Sequence, residues 1–310
     1  TNAYMKYIIY ILLFFPIWVT AQTYKYIGIE EGLSNRRIFS IQKDAEGYMW
    51  FLTNEGMDRY NGKDIKHYRL NKDDNSLESP IHLGWIYTNP HIGTWVIGKQ
   101  GRVFQYERKY DDFKLVYKLP NSLETISYGY MDRNNNIWLC RKHSILLYNT
   151  ENAQILQFTN ILHSNITAIE QVDDHHFFIS TETGVRYLKL ENGILKIIPA
   201  ETLDYFHVQV NELYYHQASK RLLIGSFERG LFVYDMNNRE IIKPEVDLSD
   251  VSITCMAPLD ESQLLISTEG MGVYKININT CQMEQYIVAN YQSSVSYTHL
   301  RAHETSAHLV

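Results

Sequence analysis

Cysteine is scarce. The 310-residue sequence holds three, Cys140, Cys255 and Cys281. An odd, scattered set at no paired or metal-like spacing implies neither a disulfide framework nor a zinc cluster. The three read as small apolar residues within strands, although Cys255 and Cys281 lie in one repeat and could meet. Positive charge is in short supply too: 29 Lys and Arg stand against 35 Asp and Glu, for a net charge of −6. With no basic stripe, nucleic acid is not an expected partner. There is no Gly-rich phosphate loop and no nucleophile-elbow motif, and no cofactor is implied. Beyond residue 19 no run is long and apolar enough to span a membrane.

Aromatics are abundant, with 24 tyrosines. Strands favour aromatic residues, which accounts for most of them, and a sugar-binding surface is the sharper alternative. The pattern that organises the chain is Ile38 to Tyr60, IFSIQKDAEGYMWFLTNEGMDRY. An apolar strand ends in the polar turn Asp44–Gly47, a second strand carries Trp50, and Asn54-Glu55-Gly56 reverses the chain into a third. Alternation between such turn residues signals antiparallel hairpins. Ile65 to Tyr68 adds a fourth strand.

The unit recurs with closing tyrosines at 60, 106, 148, 187, 234 and 274, separated by 46, 42, 39, 47 and 40 residues. The later units run over Leu83–Val116, Ile126–Phe158, Ile166–Ile197, Val210–Ile242 and Ile253–Tyr286. Phe178, Leu223 and Leu265 take the place of Trp50, Trp95 and Trp138. A four-stranded period of this length predicts an all-β fold, a β-propeller of six four-stranded blades belonging to an incomplete seven-bladed ring. The last two turns, SFERG and TEGMG, carry one extra residue, and Ser144 in place of glycine should loosen the third turn. Tyr24–Ile29 is expected as an outer strand with no blade before it, the sign of a missing seventh blade. An incomplete ring should be open or prone to aggregate.

At the start, Lys6 and the apolar run Tyr7–Val19, followed by small residues to Ala21, predict a secretory signal peptide over 1–21, with residues 1–4 upstream of its Met. Residues 22–292 form the propeller, and 293–310 read as a non-native or disordered tail. His299, His303 and His308 fall in that tail and are discounted. Asp132 to Asn136 resembles the start of a calcium loop but lacks its Gly and distant Glu, so an Asx-type turn is expected. His175 and His176 point to opposite faces of a strand and make a poor chelate. The recurrent tryptophans should pack between blades.

The unit I-x-x-I-x-x-D-x-x-G-x-x-W-x-x-T-x-x-G-h-x-x-Y over Ile38–Tyr60, with the opening EEGLSNRRIFSI over Glu30–Ile41, resembles the two-component regulator propeller repeat. That resemblance implies the N-terminal periplasmic part of a hybrid two-component sensor. It implies two seven-bladed propellers, a small β-sandwich, a membrane helix, a histidine kinase and a response-regulator segment in the whole protein. It implies recognition of oligosaccharides released from complex glycans, an inner-membrane anchor, and a possible homodimer in full length. No phosphorylation residue can be carried over, and this chain is expected to be no enzyme. A protein-interaction propeller and, behind it, a propeller glycosidase or lyase are the other readings. The loops between second and third strands gather on one face with the inter-blade linkers. The candidate ligand-binding residues are therefore Arg36, Asn54, Glu55, Lys99, Gln100, His143, Phe227, Glu228 and Arg229. No catalytic or metal-ligating set is expected.

Overall fold

The computed structural model describes residues 26–69, 83–119 and 125–287. The segment expected as a signal peptide and the histidine-bearing tail lie outside these residues. Six four-stranded antiparallel sheets follow one another, each in simple up-and-down order. Blade one is β1 (Ile38–Lys43), β2 (Met49–Thr53), β3 (Gly56–Tyr60) and β4 (Ile65–Tyr68). Blade two is β5 (Leu83–Asn89), β6 (Gly93–Gly98), β7 (Arg102–Glu107) and β8 (Asp112–Lys118). Blade three is β9 (Tyr128–Met131), β10 (Asn136–Cys140), β11 (Ser144–Asn149) and β12 (Ile155–Thr159). Blade four is β13 (Ile166–Gln171), β14 (His176–Thr181), β15 (Gly184–Glu191) and β16 (Ile194–Ile198). Blade five is β17 (Val210–His216), β18 (Arg221–Ser226), β19 (Leu231–Asp235) and β20 (Glu240–Ile242). Blade six is β21 (Ile253–Pro258), β22 (Gln263–Thr268), β23 (Gly272–Asn277) and β24 (Met283–Ile287). One short helix, α1 (Glu201–Asp204), interrupts the linker between blades four and five. This is the all-β propeller the sequence predicts.

The sheets are amphipathic on both faces, so burial requires stacking. The first strands β1, β5, β9, β13, β17 and β21 pack in series, each against the next, whereas among the described residues β21 does not pack on β1 in this way. Five apolar clusters each join two consecutive blades. Trp50, Leu52 and Met57 meet Ile86, Val96 and Phe104 of the next blade, and Trp138 and Cys140 meet Ile169, Phe177 and Ile179. Two further clusters are one-sided. Leu33, Ile41, Phe51 and Tyr60 belong to blade one alone, and Cys255, Ala257, Leu265 and Val273 to blade six alone.

The three tryptophans are buried as inter-blade residues, and each is latched to its own first turn. The Trp50 indole donates to Asp44 at 2.7 Å, the Trp95 indole to the Ile92 carbonyl at 2.9 Å, and the Trp138 indole to Asp132 at 2.9 Å. Asp132 also accepts from the Asn134 and Asn136 amides at 2.9 and 2.8 Å, which makes the segment an Asx turn. At the inner ends, side chains opposite the Trp position reach the next blade. Tyr87 donates to the Gly129 carbonyl at 2.8 Å, and Glu170 accepts from the Tyr215 amide at 3.2 Å. These bonds close inner sheet edges that would otherwise present unpaired backbone.

Three expectations are corrected. Residues 26–29 form no strand. Gly32 and Leu33 donate back to Ile29 and Gly28, and Gly28 donates to the Glu31 carboxylate, so the segment curls into a turn. The argument for a seventh blade from a spare strand therefore lapses. Tyr187 and Tyr274 are not equivalent to Tyr60. Tyr60 pairs with Met49, but Leu188 pairs with Phe177 and Ile276 with Leu264, so Leu188 and Ile276 hold that place. These third strands all begin at the turn glycine, Gly56, Gly184 and Gly272, but the tyrosine falls at a different place along each, which spacing between tyrosines cannot reveal. The third turn is not loose. Arg141 donates to the Ser144 carbonyl at 2.8 Å, and Ser144 is absent from the positive-φ residues, so glycine is not needed there. The three cysteines are buried and none is in a disulfide.

Glycine is needed at Gly184 and Gly230, with φ of 136° and 72°. A Cβ at Gly184 would lie 2.2 Å from the Phe206 carbonyl oxygen, and one at Gly230 2.4 Å from that of Leu248. Both carbonyls belong to the linkers to the next blade, so these glycines let each linker cross close over its turn. Gly184→Ala is expected to destabilise the fold by about 2 kcal/mol or more. Urea unfolding followed by circular dichroism measures this, and an unchanged midpoint would contradict it.

Candidate functional site

Within each blade the first strand leaves the linker end and the third starts from it. The turns between second and third strands therefore share one end of the propeller with the inter-blade linkers, and hydrogen bonds confirm the pairing. Lys99 accepts from the Ile126 amide at 2.6 Å, and His143 from the Asn160 amide at 3.0 Å. Phe227 donates to the Gln209 carbonyl at 2.9 Å and Gly230 to that of Val251 at 2.9 Å. The Glu228 amide donates to the Ser252 hydroxyl at 3.2 Å. The fifth turn is thus strung between the linkers on either side of its blade. Its three-residue length, between paired Ser226 and Gly230, is the extra residue seen in the sequence.

All nine candidates, Arg36, Asn54, Glu55, Lys99, Gln100, His143, Phe227, Glu228 and Arg229, lie exposed on this loop face. Arg36 joins the blade-one turn through its neighbour Ser34. The Ser34 hydroxyl bonds Thr53 and Asp58, both at 2.9 Å, and its amide donates to Asp58 at 2.8 Å. Phe227, Glu228 and Arg229 form one contiguous group. Lys99, Gln100 and His143 belong to the turns of other blades, so no single turn gathers the set.

Three residues of this face escape sequence reasoning. Tyr205 is 82% exposed. It follows α1, which is held down by Leu203 and Phe206 in the core between blades four and five, with Phe206 edge-on to Phe232 at 5.0 Å. A linker aromatic flanked by buried Leu203 and Phe206 breaks the strand alternation, and that break was the available signal. Met271 emerges from the sixth turn. Glu182 binds the Ser164 hydroxyl and the Asn165 amide at 3.4 and 3.1 Å, tying the fourth turn to its linker.

A charged cluster lies elsewhere, between the outer strands of blades one and two. Asp111 meets Arg59 at 2.9 Å and Lys66 at 2.5 Å. It accepts from the Tyr68 and Tyr106 hydroxyls at 2.7 and 2.6 Å. Burial alone would raise its pKa, but the bonds from Lys66, Tyr106 and Tyr68 and the Arg59 charge outweigh it and hold the carboxyl well below the usual range. Burial, and the bond to Asp111, push the Tyr68 hydroxyl far up. Arg59 sits among the rings of Tyr48, Trp50, Tyr68 and Tyr106, with its Cζ 4.7–5.6 Å from their centroids. Each member is satisfied by another, so the cluster bolts two blades together. His176 is bonded to Asp173 at 2.8 Å, and the His175 ring to the Leu190 carbonyl at 3.2 Å. Among the described residues no three His, Cys, Asp or Glu side chains form a metal-holding group.

Fold and face together define a β-propeller whose exposed loops and linkers share one end. Residues 32–55 match the family model described as Two component regulator propeller, so the chain carries that repeat in its first blade. The structure is similar to the extracellular domain of BT3049 from B. thetaiotaomicron, described as a hybrid two component system. The TM-score is 0.67 at 20% identity over 88% of this chain and 38% of that one. It is similar also to the extracellular domain of BT4673, described in the same terms and from the same organism, with a TM-score of 0.65 at 18% identity over 90% of this chain and 36% of that one. Sqt1 of Saccharomyces cerevisiae shares the fold, with a TM-score of 0.64 at 15% identity over 84% of this chain and 75% of that one. This chain therefore spans little more than a third of the two bacterial domains. No curated protein matches its sequence. No helix among the described residues is long and apolar enough to cross a membrane.

Proposed function

We propose that this propeller is part of the periplasmic, ligand-recognising region of a hybrid two-component regulator, and that its ligand is an oligosaccharide derived from a complex glycan. The observation that carries the reading is the repeat match at residues 32–55 on a fold like that of extracellular domains of such systems. The loop face suits a sugar. Tyr205 and Phe227, 82% and 41% exposed, offer rings for stacking on apolar sugar faces. Glu228 and Arg229, next to Phe227 in the fifth turn, offer hydroxyl partners, as do Gln100 and Asn54 on the turns of blades two and one. The role is recognition rather than catalysis. Binding transmits a signal only by favouring one arrangement of the whole region over another.

Titration calorimetry of the complete extracellular region with a panel of glycan-derived oligosaccharides tests this. Tyr205→Ala and Phe227→Ala are each expected to weaken binding about tenfold, the equivalent of roughly 1.4 kcal/mol. Unchanged affinity in both variants would remove the loop face as the site. Absence of binding by any oligosaccharide would remove the ligand class.

A further inference from the structure

The outermost strands of a propeller leave sheet edges open, and proteins guard such edges with charge. Five of the six outer strands do so. β4 carries Lys66, β8 carries Asp112, Lys114 and Lys118, β16 carries Lys196, β20 carries Glu240 and β24 carries Glu284. The remaining one, β12, reads ILQFT and carries none. It is the last strand of its sheet, and its Ile155 and Leu156 are 46% and 43% exposed. The apolar strip continues onto blade four. A Cβ at Gly193 would stand 3.9 Å from Leu156, and Ile194 beyond it is 53% exposed.

We propose that β12 is a self-pairing edge through which two copies of this chain associate, antiparallel about Gln157. In a two-fold contact the central residue faces its own copy. For β12 that residue is Gln157, whose amide both donates and accepts and can bond its twin. Ile155 then lies opposite Thr159 of the second copy, and two four-stranded blades become one eight-stranded sheet. The neighbouring strand β16 does not fit in the same way. β16 is equally apolar, but its centre is Lys196, which self-pairing would set against another Lys196. Five paired residues with an apolar margin make a small contact, so association is weak and depends on concentration. The inference does not rest on the sensor reading.

Sedimentation velocity of the full chain over about a hundredfold range of concentration reads the association. The wild-type chain is expected to pass from monomer to dimer. Gln157→Lys and Gln157→Glu are each expected to remain monomeric at the highest concentration. Mixed in equal amounts, they are expected to recover a dimer that salt dissolves. Gln157 is exposed, so both variants should keep the wild-type melting curve. Gln285→Lys, at the centre of β24, should leave the dimer intact. Hydrogen exchange should slow with concentration at β12 amides in the wild type only. A wild-type chain monomeric throughout overturns the proposal, as does a Gln157→Lys dimer of unchanged strength. Protection of another strand, or protection of β12 only by an added extended peptide, also overturns it, the latter by assigning the edge to a different protein.

Discussion

Trp138→Ala is expected to lower stability by about 3–5 kcal/mol, the usual cost of emptying a buried aromatic site. Trp138 is fully buried and packs on Phe177 of the next blade with centroids 4.7 Å apart, so the cavity opens at a seam between two sheets. A second effect adds to the first. Asp132 is 2% exposed and accepts from the indole. Burial already raises its pKa against the opposing bonds from Trp138 and Asn136. Without the indole the carboxyl keeps its burial and loses a donor. Trp138→Phe separates the two, because it fills most of the space but cannot donate. It should cost on the order of 1–2 kcal/mol. Urea denaturation of both variants measures the pair. Equal losses would mean that the hydrogen bond carries the whole effect and the packing none.

Glu170→Gln should stabilise the protein at alkaline pH and leave it unchanged near pH 4. Burial pushes the Glu170 carboxyl up to about 8, with the Tyr215 amide pulling against it and the Glu212 charge reinforcing it. In the unfolded chain a glutamate titrates near 4.3. Below that value both states hold the proton and the group is neutral to stability. Between about 4.3 and 8 the unfolded chain has released its proton while the folded one keeps it. The native state then binds more protons, so stability falls as pH rises, at up to about 1.4 kcal/mol per unit for this group. Above the folded value both are ionised and the loss is complete. Glutamine keeps an oxygen for the Tyr215 amide but never ionises. The difference between wild type and variant in urea midpoint, followed from pH 4 to 9, isolates this group from the other carboxylates. A flat difference would show that Glu170 ionises in the folded state as readily as in the unfolded one.

Much of the architecture was legible because turns are local. Asp44, Asp132 and Asp173 begin Asx turns whose bonds span two to four residues, and Trp50, Trp95 and Trp138 mark the second strand. Strand ends and inter-blade packing followed from those signs alone. Register did not. Tyr187 stands opposite Phe178, one place from where the repeat spacing put it, because it lies one residue nearer its turn glycine Gly184 than Tyr60 lies to Gly56. Tyr24–Ile29 had the composition of a strand, but its described part, residues 26–29, forms none, and Gly28 with Glu31 favours a turn. For the candidate face, topology placed the loops correctly, since an up-and-down sheet fixes which turns share an end. The protruding Tyr205 depends on α1 wedging between two blades, a tertiary event with no counterpart among the described residues of the other linkers.

Because each two-sided apolar cluster spans a pair of consecutive blades, the protein has no single melting unit. One seam can part while the others hold, and opening a terminal sheet breaks one seam where opening an inner sheet breaks two. Amide exchange should accordingly be fastest in blades one and six and slowest around the seam between blades three and four. A chain of this kind can also mature sheet by sheet during synthesis, each new blade docking on the one already formed.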